Sequence, residues 1–169
     1  KYNEKGYRDA KIVSDSVVPY DDRLVDVHIT LDEGKKYYIK DINWVGNTVR
    51  SSEELAYFLG MQPGDVYNQK MLDKRLNTDE DAVANLYMNN GYLFYELVPV
   101  EREISGDSIS LEMRITEGPQ ARINNVVING NDRLYEKVIR RELRVRPGDL
   151  FSKQDLVRSV TEIAQTGHF

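Results

Sequence analysis

The feature that most constrains this chain is an internal repeat. When the sequence is shifted by 84 residues against itself, residues 33–76 match residues 117–160 at 10 of 44 ungapped positions, where ordinary composition gives roughly two or three. The matches fall at glycine- and proline-containing turns and at apolar positions, where the backbone accepts few residue types. A repeat of this length predicts small modules in series.

The repeat is out of phase with the ends of the chain. We predict that residues 1–34 are the C-terminal half of one unit, residues 35–118 a complete unit, and residues 119–169 the N-terminal half of the next. Each half unit should expose apolar surface. Because the two halves together match the length of one unit, we expect them to pair between two copies of the isolated chain, in a swapped homodimer.

The residue pattern within the complete unit predicts two helices and three strands. Ile42 and Trp44 alternate with polar residues, as in a strand with one buried face, and we expect Trp44 to pack in the core. Ser51 is a predicted N-cap for a first helix. A second helix is predicted to start at Asn68 and to end at Gly91.

A hairpin is predicted to close the complete unit. Its first strand begins at Tyr92, and its second strand, residues 108–116, alternates apolar and polar residues. The predicted fold class is α+β, with tandem β-α-α-β-β units in which two helices cover one face of a three-stranded sheet. The next copy repeats the opening strand with Val126 and Ile128, and its second helix, which is about eight residues shorter, is predicted to start at Ser152 and to end at Gly167.

The chain is poorly supplied with groups for chemistry. It has no cysteine, and of its two histidines His28 is predicted on the solvent face of a strand and His168 in a turn. The acidic runs at residues 21–22 and 79–81 are interpreted as a hairpin loop and a solvated helix face. We therefore expect no enzyme activity, no catalytic residue, no cofactor and no metal. A net charge of −5 also disfavours nucleic acid as a partner.

Three short motifs occur in a fixed order and carry a resemblance to a known family. They are Gly46-Asn47 after the first strand, Pro63-Gly64-Asp65 between the helices, and Leu86-Tyr87 with Gly91-Tyr92 at the end of the second helix. Gly130-Asn131 and Pro147-Gly148-Asp149 repeat the first two. The chain resembles the POTRA (polypeptide-transport-associated) domains that occur in series ahead of the barrel in BamA-type outer-membrane assembly factors.

The resemblance implies a periplasmic segment that is attached to the outer membrane through a C-terminal barrel outside this chain. It also implies three kinds of partner: unfolded outer-membrane protein precursors, accessory assembly subunits and adjacent POTRA units. An alternative within the same fold is the POTRA scaffold of a secretion transporter or a cell-division protein, whose units mainly set distance and orientation.

One stretch is predicted as a partner-binding edge strand. It is unusually apolar on both faces, and the resemblance implies that it lies at the edge of the sheet, where unpaired backbone groups can accept a strand by β-augmentation. The predicted residues are Leu93, Phe94, Tyr95, Glu96, Leu97 and Val98. The competing interpretation is that Phe94 and Val98 are covered by the second helix or by the next unit.

Overall fold

The computed structural model describes residues 1–166, so the predictions for Gly167 and His168 lie outside the described residues. A short 3₁₀ turn, Asn3–Lys5, precedes the first strand. The elements are then β1 (Lys11–Pro19), β2 (Val25–Asp32), β3 (Tyr38–Val45), α1 (Ser52–Leu59), α2 (Gln69–Asp73), a π-helical turn (Lys74–Thr78), α3 (Val83–Met88), β4 (Glu96–Ser105), β5 (Ser108–Thr116), α4 (Glu136–Glu142) and α5 (Lys153–Gln165).

The predicted α+β unit is present between β3 and β5. The sheet order is β3-β5-β4, with β3 parallel and β4 antiparallel to the central strand. The apolar residues of β5 are buried on one face, as predicted, and pack in one core with residues of α1, α2 and α3, such as Leu55, Leu72 and Tyr87. Trp44 is partly buried against this core, which confirms its predicted packing.

The helix starts follow the predicted caps. Ser51 Oγ accepts a hydrogen bond from the Glu54 amide at 3.2 Å, and α1 ends before Gly60, whose φ of +70° suits a glycine. Asn68 Oδ1 accepts from the Met71 amide at 2.9 Å at the start of α2.

The prediction of one continuous second helix from Asn68 to Gly91 is wrong. The helix has three parts and is interrupted at residues 79–82, so the predicted helix face at residues 79–81 is wrong as well. The cause is local. Arg75 Nη1 donates to Asp79 Oδ2 at 3.0 Å and to Asp81 Oδ1 at 2.6 Å, and these contacts hold the chain away from the helical path. Arg75 Nη2 also donates to the carbonyl of Phe58 at the end of α1.

The turn after β3 explains two of the repeated motifs together. The Glu117 carboxylate accepts hydrogen bonds from the Thr48 amide at 2.9 Å and from the Val49 amide at 3.0 Å. Gly46 has a φ of +89°, and a Cβ there would lie 2.0 Å from the Ile115 carbonyl oxygen. Glu117-Gly118 also belongs to the repeat, because Glu33-Gly34 lies 84 residues earlier. The Gly46-Asn47 turn and the Glu117-Gly118 pair are therefore the two sides of one contact that closes the unit.

The sequence repeat reappears as matching backbone hydrogen bonds. In each copy three of these bonds join the segment around the Pro-Gly-Asp turn to residues 37–39 or 121–123, and these six have N to O distances of 2.7 to 2.9 Å. The donor and acceptor residues are Gly64 to Ile39, Ile39 to Asp65 and Tyr67 to Tyr37 in one copy, and Gly148 to Ile123, Ile123 to Asp149 and Phe151 to Ala121 in the other.

The N-terminal segment is an open hairpin. Residues opposite each other in β1 and β2 share a face, and one face carries the pair Val17 and Val27 with Ile29 beside them. Ile29 is 62% exposed and Val27 is 60% exposed, so the described part of the chain leaves this apolar face of the hairpin open. His28 lies opposite Ser16 on the other face and is exposed, which agrees with its predicted place.

The strand predicted around Val126 and Ile128 is not formed. Of the described residues in this part, Arg122 alone makes a β-bridge, to Leu150. The physical reason is that a strand needs a hydrogen-bonding partner: β3 has β5, and the described residues after 119 include no equivalent of β5. The helices α4 and α5 form without it, and Ser152 caps α5 as predicted.

Two joints connect the three segments and use the same backbone contact. At the first joint the Gly6 carbonyl accepts a hydrogen bond from the Tyr37 amide at 2.8 Å, and at the second the Gly91 carbonyl accepts one from Ala121 at 2.7 Å. Both glycines have φ near +90° and lie against a side chain of the next segment, Val66 or Leu150.

Candidate functional site

The candidate site is the free edge of β4. This strand pairs only with β5, so it lies at one end of the three-stranded sheet. The other end, β3, is shielded at its start by the Pro-Gly-Asp turn, because Tyr38 bridges to Val66. The place that the resemblance implied for this strand is therefore the observed one.

The strand begins later than predicted. Glu96 is its first residue, and Leu93 and Phe94 lie in a turn that the Tyr95 amide closes on the Tyr92 carbonyl at 3.3 Å. The extended conformation predicted for residues 93–95 is thus wrong, because this local bond favours a turn. The remaining predicted residues, Glu96, Leu97 and Val98, do belong to the edge strand.

The six predicted residues divide between core and solvent. Tyr95 is buried and stacks on Tyr87, with ring centroids 4.5 Å apart, and its burial raises the pKa of its hydroxyl. Leu97 packs against the core. Phe94 is 61% exposed and Val98 is 47% exposed, so neither is covered by the described part of the chain. Leu93 and Glu96 are exposed as well.

The edge carries few of the devices that keep edge strands from pairing. Glu96 is exposed at its start, and Pro99 lacks the amide that a paired strand would donate. A β-bulge between Glu101 and Glu103 interrupts the ladder, which resumes with shifted register over residues 103–105. The straight part of the edge is therefore residues 96–101.

A groove runs beside this edge, between β4 and the second helix. It has a volume of about 560 Å³ and an apolar floor that includes Leu72, Leu76 and Leu111. Val100 and Glu101 line it on the strand side. A strand added to β4 would have room for side chains here. No pattern in the sequence indicates this groove.

Sequence reasoning also missed a polar cluster at the end of the groove. Arg8, from the segment before the complete unit, grips Glu101 with two nitrogens, and its Nε donates to Glu101 Oε1 at 2.8 Å. The Tyr67 hydroxyl donates to the same oxygen at 3.1 Å. Arg8 Nη1 also donates to Asp9 at 2.6 Å, and Asp9 accepts from the Tyr37 hydroxyl at 2.7 Å.

The cluster shifts the pKa values of its members. Burial raises the pKa of Tyr67 to about 12, with a further contribution from Glu101. The hydrogen bond from Tyr37, followed by the attraction of Arg8, lowers the pKa of Asp9. Arg8 and Glu101 are 93 residues apart in sequence, so no local pattern indicates their contact.

Other candidate residues have structural surroundings. Asp21 accepts hydrogen bonds from the Arg23 and Leu24 amides and shapes the β1–β2 turn, so the predicted hairpin loop is present. Among residues 1–166 no group of acidic or histidine side chains could hold a metal ion. In the same range no helix is long and apolar enough to cross a membrane.

A three-stranded sheet covered by helices on one face carries an open edge strand, and similar glycine contacts join it to a hairpin before it and to a helical segment after it. These features define the class of protein. A family model described as POTRA, surface antigen variable number repeat, matches residues 37–118 and 121–169. The matches cover more than half of the chain, so the chain belongs to the POTRA family. Its relatives show that it is of the BamA type.

Proteins named as outer membrane protein assembly factors align with nearly the whole chain. A putative outer membrane protein assembly factor of Treponema pallidum (strain Nichols) is 28% identical over 174 residues, which cover 99% of this chain and 20% of that protein. The outer membrane protein assembly factor BamA of Nitratidesulfovibrio vulgaris is 27% identical over 165 residues, with 97% and 21% covered. The chain thus spans about a fifth of the length of these relatives.

A solved structure shows the same fold. The crystal structure of Haemophilus influenzae BamA POTRA3-5 superimposes with a TM-score of 0.79 at 20% sequence identity, over 99% of this chain and 66% of that one. At this identity the likeness establishes the fold alone.

Proposed function

We propose that this chain is a non-enzymatic binding segment of an outer-membrane protein assembly factor, located in the periplasm and attached to the outer membrane through a C-terminal barrel. In this proposal residues 35–118 form a complete POTRA unit, residues 1–34 the end of the preceding one, and residues 119–169 the start of the next. The relatives named as assembly factors support the proposal.

The proposed partners are unfolded outer-membrane protein precursors, which bind by β-augmentation at β4, and accessory assembly subunits, which bind at shallow surfaces. The other proposed partners are adjacent POTRA units and, for the isolated chain, a second copy of itself. The proposal includes no nucleic acid and no cofactor. The observation that carries the proposal is a free edge strand beside an apolar groove. Backbone hydrogen bonds to the edge tolerate many sequences, which suits a protein that handles many precursors.

The proposal is tested by titrating the chain with an extended peptide of alternating apolar residues while backbone amide shifts are followed. We expect the largest shifts at residues 96–101. Two control peptides keep the side chains but carry N-methyl groups on alternate amides, one set for each edge of the peptide strand. One control should lose at least about tenfold in affinity and the other should bind, because a strand bonds its neighbour through one edge. Equal binding of both controls, or shifts confined to another surface, would contradict the proposal.

The alternative is a scaffold role, as in a secretion transporter or a cell-division protein. The observation that favours it is the recurrence of the same backbone contact at both joints, which suits units that set distance and orientation. A chain that binds none of the three peptides while its units keep one fixed orientation in solution would favour this second function.

A further inference from the structure

The polar cluster joins the segment before β1 to the complete unit. Arg8 and Asp9 precede β1, whereas Tyr37, Tyr67 and Glu101 belong to the complete unit. The cluster is therefore the side-chain part of the first joint. It also ends at Glu101, which is the last straight residue of the edge and lines the groove.

Glu101 belongs both to the joint and to the groove, and the direction of its side chain explains why it needs Arg8. Glu101 lies opposite Leu111, which is buried, so both side chains are on the helix-covered face of the sheet. A carboxylate that faces inward at a sheet edge needs a positively charged partner, and Arg8 binds it through two nitrogens. The side chains of Arg8 and Glu101 are 28% and 22% exposed, so the pair is partly shielded from water.

The second joint shows what the cluster adds. By the repeat, Leu93 and Phe94 occupy the places of Arg8 and Asp9, and Ala121 and Phe151 those of Tyr37 and Tyr67. The backbone contact is the same at both joints, but these four places hold charged and hydroxyl groups at the first joint and apolar side chains at the second. The side-chain contacts of the second joint use other residues, such as Lys153 with Asn85 and Gln120 with the Asn90 carbonyl. The cluster is therefore a feature of the first joint and not a general part of the repeat.

We propose that Arg8 couples the β4 groove to the angle between the preceding unit and the complete unit. This inference rests on the proposed function. In one state the Arg8 fork holds Glu101 and fixes the joint. In the other state a bound strand extends along the edge to Glu101 and occupies the space beside this carboxylate. Arg8 then no longer contacts Glu101. Because coupling is reciprocal, a free joint favours long strands and a long strand loosens the joint.

The experiment compares two peptides on the 169-residue chain and on Arg8→Ala. The long peptide pairs with residues 96–101, and the short one stops at Pro99, before Glu101. We expect Arg8→Ala to raise the affinity for the long peptide by roughly threefold to tenfold, the range of a partly exposed ion pair. The affinity for the short peptide should stay within about twofold. Arg23→Ala, in the distant β1–β2 turn, removes the same charge and should change neither affinity.

The orientation of the units is the second measurement. Residual dipolar couplings of β1–β2 and of β3–β5 should fit one rigid arrangement in the wild type and in Arg23→Ala, and two independent ones in Arg8→Ala or with the long peptide bound. If both peptides bind and Arg8→Ala changes neither the orientation nor the ratio of affinities, the coupling is wrong and the binding function stands. If neither peptide binds the wild type, the proposed function and the coupling fail together.

Discussion

Gly46 lies where the backbone of the unit comes closest to itself. Its φ of +89° disfavours a side chain, and a Cβ would meet the Ile115 carbonyl oxygen at 2.0 Å. Neither group can move without disturbing the parallel pairing of β3 and β5. A methyl group at this position therefore adds a backbone clash to the ordinary strain of a positive φ.

We predict that Gly46→Ala lowers the free energy of unfolding by about 3 kcal/mol, from strain plus displacement of β5. Gly60→Ala is the matched control. Gly60 also has a positive φ, but a Cβ there meets nothing within 4 Å, so its substitution should lower the free energy by about 1 kcal/mol. Urea unfolding of both variants measures the difference, and equal losses would show that the close contact has no effect.

Glu117 gives the unit a dependence on pH. Burial raises the pKa of its carboxyl, but the hydrogen bonds from Thr48 and Val49 outweigh that effect and bring the pKa below its ordinary value of 4.5. A group whose pKa is lowered on folding stabilises the folded state above its unfolded pKa. The stabilisation is lost as the pH falls through the lower, folded value.

We therefore predict that Glu117→Gln lowers the free energy of unfolding by about 1 kcal/mol at pH 7 and that this difference shrinks below about pH 4. Urea unfolding at pH 7 and pH 3 measures it. Glu103→Gln, an exposed residue of β4, serves as the control and should have little effect at either pH. A difference for Glu117→Gln that is equally large at both pH values would contradict the prediction.

Among the elements, the interrupted second helix depends on Arg75. This side chain ties residues 79–81 to the carbonyl at the end of α1 and is only 22% exposed. π-Helical turns are rare, and helices often kink where they occur. Here the hydrogen bonds of Arg75 hold the interrupted segment in place.

We predict that Arg75→Ala lowers the free energy of unfolding by about 2 kcal/mol and speeds hydrogen exchange at residues 79–82, because two acids and the carbonyls of Phe58 and Leu59 lose this donor. Lys74→Ala is the neighbouring control. Lys74 is 63% exposed and its nitrogen lies 3.7 Å from Asp79, so its loss should change stability by less than about 0.5 kcal/mol. Unchanged exchange in Arg75→Ala would show that the interruption holds without the clamp.

The helices and strands also show which parts of the fold could be predicted from the sequence. Ser51, Asn68 and Ser152 cap their helices as predicted because capping depends on residues three apart. The helix interruption was missed because Leu76 and Val83 are seven residues apart, a spacing that also fits an unbroken helix. The late start of β4 was missed because an apolar run does not distinguish a turn that buries Tyr95 from a strand.

The candidate site was predictable only in part, for a related reason. An edge position and an apolar stretch can be expected from a single segment and a family resemblance. The groove needs the packing of α2 on the sheet, and the Arg8–Glu101 pair joins residues 93 positions apart. Contacts of that range depend on the whole fold and leave no periodic signal in one sequence.

For the whole molecule, the two ends of the chain, which are half units in the proposed division, expose apolar surfaces that could pair. The β1–β2 hairpin exposes an apolar face that includes Val27 and Ile29, and α5 exposes Leu156 and Val160, whose counterparts Leu72 and Leu76 are buried. In the complete unit Ile42 lies opposite Leu111, so the repeat places Val126 of one copy opposite Val27 of another. This register specifies how the predicted swapped homodimer would form.

We predict that the isolated chain is a dimer and that Val27→Asp makes it a monomer, because a charge would enter the shared core. His28→Asp, on the opposite face of β2, is the control and should remain dimeric. The chain contains no cysteine, so the double variant Val27→Cys, Val126→Cys should form disulfides between chains only. Sedimentation and non-reducing electrophoresis measure both effects, and a monomeric wild type would contradict the dimer.

The second joint has a consequence for how such an array grows. Gly91 already holds Ala121 and Leu150 although the described chain after residue 119 contains neither a completed sheet nor a closing hairpin. The contact needs only the first third or so of the following module. During synthesis from the N-terminus, each new module could therefore take its orientation relative to the preceding module before it finishes folding. The direction of the array would then be set before each module is stable.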